Sequence, residues 1–254
     1  MDSSKVFNGK ASFYMSSRPD YAEALLDELY TSYGWSEYTI IADIGSGTGI
    51  FAQQMLMRDS YVYCVEPNED MRNLCQNHLR EYSRFSVISG HATHTGLPAE
   101  SVDCITAAQS FHWFDPVLFR EECRRILKPN GKILLVWNMR DNECPVMQAS
   151  YQVHRTYCPN VSELGKMIKY DDSRIIHFFQ NRYEKLEYAH PIKYTRTQFV
   201  LRNLSSSYSL HPGDAGFQEY KQEFYKIFEK YASNGIVCVP NTTVAYIGDI
   251  TEEK

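Results

Sequence analysis

The chain has 254 residues, 43% of them apolar, which is enough to bury a sizeable core as one domain or as one domain with a substantial insertion. Its 26 basic and 31 acidic side chains give a net charge of -5. A protein that holds a phosphate backbone needs an excess positive field, and this composition does not supply one. The charge balance therefore argues against a nucleic-acid partner.

The cysteines and the apolar runs indicate where the protein works. The seven cysteines are odd in number and scattered, without a C-x-x-C pair, which argues against a disulfide framework and a zinc site. No signal-peptide pattern follows Met1, and the longest apolar run, 133–137, is far too short to span a bilayer. We therefore expect a cytoplasmic protein with no bound metal and no membrane partner, either a monomer or a homodimer.

Short β-branched runs alternate with amphipathic stretches in the first half of the chain. The runs predict strands at 39–43, 61–66, 85–89, 102–107 and 132–137, and the stretches predict helices at 51–58, 68–80 and 115–127. Such alternation is typical of a parallel sheet with helices on both faces. In the last of these helices Asp115 is a candidate N-cap, and one buried face is predicted to hold Val117, Leu118, Cys123, Ile126 and Leu127.

The second half of the chain is less regular. Residues 138–180 are polar and predicted to be partly helical, for example around 148–155. Strand patterning returns at 182–195, and aromatic residues in 216–232 repeat at helical spacing, which favours a core-facing helix. The terminal stretch 236–250 has strand composition, interrupted at Pro240.

A glycine-rich loop, Asp43-Ile44-Gly45-Ser46-Gly47-Thr48-Gly49, follows the first predicted strand and opens a predicted helix. Glycines there allow a sharp turn and a close approach of the backbone to a ligand. A dinucleotide fingerprint that starts at Gly45 needs glycine at position 50, where Ile50 stands. The D-x-G-x-G-x-G form resembles motif I of the class I methyltransferases that use S-adenosylmethionine (SAM). This resemblance implies SAM contacts by Asp43, Gly45, Ser46 and Gly47.

Glu66 ends the second predicted strand, near the distance of about 20 residues from the first glycine at which an acidic residue reads a ribose. A carboxylate accepts hydrogen bonds from both ribose hydroxyls, so Glu66 suits SAM and NAD alike. Pro67 follows, and Met71 lies one turn into the next helix, where it is placed to cover an adenine face.

The segment after the third predicted strand, 90–98, resembles the G-D-A-x-x-L-P segment of the same methyltransferases. His91 replaces the usual aspartate, and Thr93 replaces the usual glutamate. The resemblance implies that Ala92 and Thr93 contact the adenine edge.

The segment 107–115 follows the fourth predicted strand, at the sheet edge where α/β proteins bind ligands. It resembles the A-Q-x-x-H-W-F segment of a methyltransferase branch that includes trans-aconitate-type and related small-molecule enzymes. This resemblance places Gln109 at SAM and His112 and Trp113 at the transferred methyl group or its acceptor. Upstream, Tyr14 and Arg18 resemble the Y-x3-R-P-x-Y segment of this branch.

The upstream segment implies an N-terminal helix that closes over the cofactor. Arg18 would pair with the methionine carboxylate of SAM or with an anionic substrate. Methyl transfer is an in-line displacement that requires alignment and exclusion of water. Tyr14 and Trp113 are candidates for an aromatic wall, and His112, with an ordinary pKa of about 6.5, is the candidate base. A carboxylate acceptor needs no base.

We therefore expect a SAM-dependent methyltransferase that acts on a small-molecule acceptor. The alternatives are a nicotinamide-dependent oxidoreductase and a non-catalytic SAM-binding module; tRNA or protein methylation is disfavoured by the acidic balance. The expected fold is Rossmann-like, a doubly wound, mostly parallel seven-stranded sheet with the last strand antiparallel. Residues 1–137 are predicted to form the core, 138–215 a lid insertion with the sixth strand, and 216–254 the helix and strand that complete the core.

Overall fold

The structure is a computed structural model and describes residues 18–159, 161, 173–206 and 208–250. Tyr14 lies outside the described residues. The described helices are α1 (Glu23–Thr31), α2 (Ile50–Leu56), α3 (Glu69–His78), α4 (Pro116–Ile126), α5 (Pro145–Tyr157), α6 (Ser173–Phe179), α7 (Arg196–Leu204) and α8 (Phe217–Tyr231). The described strands are β1 (Ile40–Ile44), β2 (Tyr61–Val65), β3 (Phe85–Ile88), β4 (Val102–Ala108), β5 (Leu127–Arg140), β6 (Tyr183–Ala189), β7 (Ile192–Tyr194), β8 (Val237–Val239) and β9 (Asn241–Gly248).

Seven strands form one sheet in the order β3-β2-β1-β4-β5-β9-β6. Strands β1 to β5 pair in parallel, and β9 runs antiparallel between β5 and β6. The chain runs outward from β1 to β3 and then returns to place β4 on the other side of β1. The strand order reverses at this point, which is where α/β sheets bind ligands. The predicted doubly wound sheet with an antiparallel last strand is confirmed.

The sheet is buried on both faces, as expected for parallel strands covered by helices. Along β1, Ala42 and Ile44 belong to one apolar cluster and Ile41 to the cluster on the other side. All three side chains are fully buried. This burial on both faces explains why β1 is apolar at every position except Asp43.

Strand β5 is longer than the sequence predicts. Its pairing with β4 jumps from Leu127 to Lys132, so the turn-like Lys128–Gly131 segment forms an irregularity inside the strand. At the other end, β5 continues to Arg140 because β9 pairs with it up to the Arg140–Asn241 position. This extension brings Asn138 and Arg140 to the sheet edge that carries the site.

Helix α4 begins as predicted, because the Asp115 side chain accepts hydrogen bonds from the backbone N–H groups of Val117 and Leu118 at 2.9 and 3.1 Å. The prediction that Val117 and Leu118 are buried is wrong, since they are 66% and 48% exposed. The buried face starts at Phe119 and continues through Cys123 and Ile126. The first turn of the helix therefore extends beyond the core.

Helices α5, α7 and α8 pack with the β7–β8 pair around a third apolar cluster. We call these three helices and two strands the cap. The aromatic face predicted for the C-terminal helix is buried, and its buried members are Phe217, Tyr220, Phe224, Ile227 and Phe228. Helix α8 lies in the cap rather than against the sheet, while β9 completes the sheet. Within the described residues, no helix meets the length and apolarity needed to cross a bilayer.

Candidate active site

A pocket opens at the carboxyl ends of β1, β4 and β5, where the strand order reverses. One wall is the loop between β1 and α2, and the opposite wall comes from the cap and from the start of β9. Described residues that line it include Arg18, Pro19, Tyr21, Gly45, Ser46, Gly47, Thr48, Gln109, Asn138, Arg140, Tyr194, Arg202 and Asn241. The pocket therefore combines predicted cofactor residues with residues of the predicted lid and of the last strand, to which the sequence gave no individual role.

The glycine loop is held against the second strand by backbone hydrogen bonds. The N–H groups of Gly45 and Ser46 donate to the Val65 carbonyl at 2.8 and 3.2 Å. Gly45 and Gly47 have φ angles of 68° and 56°, in the region that favours glycine. A Cβ on Gly45 would lie 2.7 Å from the Ser110 Cβ, whereas a Cβ on Gly47 would meet nothing within 4 Å. Gly47 thus borders open space inside the pocket.

Glu66 follows β2 and is bound to the glycine loop. One carboxylate oxygen accepts the Gly47 N–H at 3.0 Å, and the other accepts the Asn68 N–H at 2.9 Å. Burial raises the pKa of Glu66, while these two N–H groups lower it. Each carboxylate oxygen retains further acceptor capacity, so Glu66 still has positions for two ribose hydroxyls.

Asp43 lies beneath the loop and is fully buried. One of its oxygens accepts the Thr106 hydroxyl at 2.7 Å, and the other has no hydrogen-bond partner within the described part of the chain. Burial raises the pKa of Asp43 to about 7, and the neighbouring charge of Glu66 raises it as well, while the Thr106 hydroxyl lowers it. A buried acceptor without a donor is unusual in a folded protein and is typical of functional sites.

The residues present fit SAM on two observations. The first is the open space at Gly47, which allows a ligand to approach the loop backbone. The second is that the hydroxyls of Ser46 and Thr48, two pocket residues, are buried without a partner in the described part of the chain. A ligand with several polar groups, such as the methionine part of SAM, supplies the missing partners.

Gln109 directly follows β4 at the pocket and has a φ of 56°, a left-handed conformation that is uncommon for residues other than glycine. Its backbone N–H donates to the Val136 carbonyl at 2.9 Å, and its side-chain amide donates to the Asn138 carbonyl at 3.2 Å. These bonds hold the strained residue in place and keep its side chain beside β5. Backbone strain of this kind is concentrated at ligand sites.

Three arginines line the same pocket. Arg18 precedes α1 and donates to the Ser205 carbonyl of the cap at 3.4 Å, Arg140 ends β5, and Arg202 lies on α7. Burial lowers the pKa of Arg140 to about 10, and the positive charges of Arg202 and Arg18 act in the same direction. The sequence placed Arg140 and Arg202 within the predicted lid insertion, 138–215, but gave neither a role at the site, because only the fold brings them together. The one available signal was the position of Arg140 directly after the apolar run of β5.

His112 and Trp113 lie on a short 3-10 turn, Phe111–Trp113, after β4. Phe111 is buried in the core, while His112 and Trp113 are partly exposed, with ring centroids 5.0 Å apart. Neither is among the described residues that line the pocket. The residues on either side of the pair, Ser110 and Phe114, lie against Gly45 of the glycine loop, and the catalytic role of His112 and Trp113 stays a prediction.

The residues predicted to hold adenine lie outside the pocket lining as well. Met71 is buried at the start of α3, where its N–H donates to the capping Asn68 side chain at 3.0 Å. Ala92 and Thr93 occupy a tight turn closed by two backbone hydrogen bonds between His91 and His94. Pro67 joins Glu66 to this helix start. Their contacts with adenine also stay predictions.

Comparison with known proteins identifies the class of domain. Residues 42–135 match the methyltransferase domain family. A methyltransferase-like protein of Schizosaccharomyces pombe is 32% identical over 142 residues, which cover 56% of this chain and 54% of that protein. A methyltransferase of Mycobacterium bovis is 31% identical over 140 residues, or 55% of each chain. Both relatives are described as uncharacterized.

The fold has counterparts among solved structures. A proposed type II methyltransferase from Anaeromyxobacter dehalogenans superposes with a TM-score of 0.59 at 20% identity, over 93% of this chain and 99% of that one. Residues 42–135, which carry the glycine loop, are therefore similar to methyltransferase domains, and SAM is the cofactor that this similarity implies. The chain spans about half the length of the curated relatives it matches.

Proposed function

We propose that this protein is a SAM-dependent methyltransferase that transfers a methyl group to a small-molecule acceptor. The observation that carries the proposal is the pocket itself, which joins the glycine loop of a methyltransferase domain to a second wall of polar residues from the cap. A cofactor on the loop side and an acceptor on the cap side would meet within one cavity.

The residues divide between three parts of the cofactor. The glycine loop, with Ser46 and Thr48, would hold the methionine part, and Glu66 would accept the ribose hydroxyls. Pro67, Met71, Ala92 and Thr93 would border the adenine. When bound, SAM would supply an activated methyl group, to which an electron pair of the acceptor would bond as the methyl–sulfur bond breaks and S-adenosylhomocysteine leaves.

The protein itself would orient the acceptor and exclude water from the pocket. Gln109, fixed by two hydrogen bonds, would form the floor between the cofactor side and the acceptor side. The cap would cover the acceptor. If the acceptor arrives protonated, His112 on the 3-10 turn is our candidate to receive the proton.

A small acceptor is favoured over a macromolecule by two features. The net charge of -5 gives no general attraction for nucleic acid. The cap wall of the pocket also leaves the acceptor side recessed between two packed units rather than spread over an open surface.

Thermal unfolding with cofactors tests the proposal. We expect S-adenosylhomocysteine (SAH) at 100-fold excess over its Kd to stabilise the protein by about 2.7 kcal/mol, with a matching rise in melting temperature. NAD at the same concentration is expected to leave the melting temperature unchanged, because Ile50 stands where its fingerprint needs glycine. A response to NAD without a response to SAH would overturn the proposal.

A further inference from the structure

Residues 18–22, which we call the 18–22 segment, line the pocket without belonging to a described helix or strand. Arg18, Pro19 and Tyr21 of this segment face the same pocket as the glycine loop. The segment directly precedes α1, and Tyr21 and Ala22 are buried. Buried backbone N–H and carbonyl groups need hydrogen-bond partners. Where no helix or strand supplies them, side chains from other elements have to fix the position of the segment.

Gln54 on α2 satisfies both backbone groups of Tyr21. Its side-chain carbonyl accepts the Tyr21 N–H at 3.0 Å, and its side-chain amide donates to the Tyr21 carbonyl at 2.9 Å. The same amide donates to the Glu23 carboxylate, in the first turn of α1, at 3.0 Å. Gln54 is 3% exposed and is not among the described residues that line the pocket. It therefore holds the 18–22 segment from outside the pocket.

The sheet holds the same segment through two further side chains. Asn138 on β5 donates to the Asp20 carbonyl at 2.7 Å, and Thr243 on β9 accepts the Ala22 N–H at 3.0 Å. The Thr243 hydroxyl also donates to the Asn138 side-chain carbonyl at 2.7 Å. The 18–22 segment is thus tied both to the sheet and to the helix that follows the glycine loop.

From this arrangement we infer that Gln54 is a positioning residue for SAM binding. The inference rests on the proposed function. Helix α2 begins directly after Gly49, the last residue of the glycine loop, so Gln54 and the loop belong to one continuous element. The two bonds to Tyr21 therefore fix the 18–22 segment relative to the loop, and both line the pocket. A segment that is already fixed spares the ligand the entropic cost of ordering it.

Two variants of Gln54 test the inference. Gln54→Met removes the amide donor and acceptor at similar length, and we expect it to weaken SAH binding by about tenfold or more in calorimetry on the folded protein, because the ligand must then order the segment. Gln54→Glu covers the case in which Gln54→Met folds poorly. A neutral carboxyl group offers one donor and one acceptor, and burial and the neighbouring Glu23 favour its neutral form against the charge of Arg58. At pH 5.5 we expect Gln54→Glu to bind SAH more like the wild type than Gln54→Met does.

Two control variants separate positioning from a general loss of stability. Met55→Ala removes a fully buried side chain of the same helix that does not line the pocket, so it is expected to lower stability and to keep the SAH affinity of the wild type. Arg58→Gln removes the ion pairs from the end of α2 to Glu23 and Asp27, whose carboxylates are exposed. It too is expected to keep the SAH affinity, because the bonds from Gln54 to Tyr21 remain.

Hydrogen exchange gives a readout that does not depend on affinity. Without ligand, we expect the amides of Tyr21 and Ala22 to exchange faster in Gln54→Met than in the wild type, because local opening of the segment becomes easier. Saturation with SAH is expected to slow their exchange again. In Met55→Ala, residues 19–22 are expected to exchange no faster than the rest of α1 and α2.

The outcomes separate this inference from the proposed function. If SAH does not bind the wild type, the proposed function fails and the inference falls with it. If SAH binds the wild type and folded Gln54→Met equally, the inference alone is wrong. It is likewise wrong if Met55→Ala weakens SAH as much as Gln54→Met does, or if exchange at Tyr21 and Ala22 is unchanged in Gln54→Met.

Discussion

At the scale of single residues, Gly45 and Gly47 of the cofactor loop are required for different reasons. Gly45 is required by a neighbour, since an added Cβ would collide with Ser110. Gly47 is required by its φ of 56° and by the space it leaves for a ligand. Gly34 provides a comparison, because it also has a positive φ, 75°, and an open Cβ position, but it does not line the pocket.

Gly47 and Gly34 give a matched pair of variants. Gly47→Ala and Gly34→Ala are both expected to lower the free energy of unfolding by about 1–2 kcal/mol, the cost of a left-handed residue with a Cβ. Only Gly47→Ala is expected to weaken SAH binding, because its methyl group enters the space the ligand needs. Urea unfolding and calorimetry on both variants check this. Equal SAH affinities would place the ligand elsewhere.

Asp43 leads to a prediction about pH. Its pKa of about 7 in the folded protein lies above its ordinary value of 3.8, so folding favours the neutral form. Ionisation of Asp43 therefore destabilises the folded protein. This destabilisation is absent below pH 3.8, grows as the pH rises, and reaches its full size above about pH 7. The Asp43→Asn variant keeps an acceptor for Thr106 but cannot ionise.

We therefore expect Asp43→Asn to gain stability relative to the wild type as the pH rises from 5 to 7, by about 1.4 kcal/mol per pH unit, because only the wild type must then ionise a buried carboxyl. SAH affinity is expected to fall in the variant, because the carboxylate is retained for a ligand. The measurement is the urea midpoint of both proteins across this range. Parallel pH profiles would contradict the assignment.

At the scale of elements, the cap is held by a buried polar network as well as by apolar packing. His154 on α5 bonds to the Tyr220 hydroxyl on α8 at 2.8 Å and to the Asn203 side chain on α7 at 3.3 Å. Burial lowers the pKa of His154 to about 3, and the charges of Arg140 and Arg202 also lower it, while Asn203 raises it. The folded cap therefore holds this histidine neutral.

This network predicts acid sensitivity of the cap. The unfolded chain binds a proton at His154 below pH 6.5, and the folded chain does so only near pH 3, so stability is lost as the pH falls through that interval. The loss approaches about 1.4 kcal/mol per pH unit for one such group. His154→Phe is expected to be less stable at pH 7 but to have a shallower pH slope between 6.5 and 5. Denaturant unfolding of both proteins at pH 6.5 and pH 5 measures this slope. Identical slopes would mean that the His154 network does not cause the acid sensitivity.

At the scale of the whole molecule, Phe111 joins the site to the core. Its ring contacts those of Phe119 on α4, Trp137 on β5 and Phe178 on α6, with centroids 6.1, 6.4 and 5.1 Å away. The turn that carries His112 and Trp113 is therefore anchored by an aromatic ring that is buried in the core cluster on one face of the sheet. Stability of the fold and placement of this turn depend on the same side chain.

We expect Phe111→Ala to lower the free energy of unfolding by about 3–5 kcal/mol, the usual effect of removing a buried aromatic ring. Tyr38→Ala is the control, because Tyr38 is 78% exposed and is expected to change stability by less than about 0.5 kcal/mol. Thermal and urea unfolding of the two variants compare them. A small effect of Phe111→Ala would mean that the turn can detach from the core.

The sequence by itself determined the local features of this protein. The alternation of apolar runs and amphipathic stretches predicted the sheet, and Asp115 predicted the start of α4, because caps and periodicity act over a few residues. The sequence also predicted the glycine loop and Glu66, because each directly follows a strand, in two consecutive strand–loop–helix units. The contact between them, from the Gly47 N–H to the Glu66 carboxylate, is a consequence of β1 lying beside β2.

Only the tertiary structure decided the features that depend on distant parts of the chain. The exposure of Val117 and Leu118 follows from where α4 meets the sheet, which periodicity within the helix cannot give. The assignment of α8 to the cap likewise follows from its contacts with α5 and α7. Arg140 and Arg202 are far apart in sequence, and they share a pocket because β5 extends along β9 while α7 packs in the cap above it. Packing decides which charges from distant segments come together, so no single segment of the sequence can predict such a cluster.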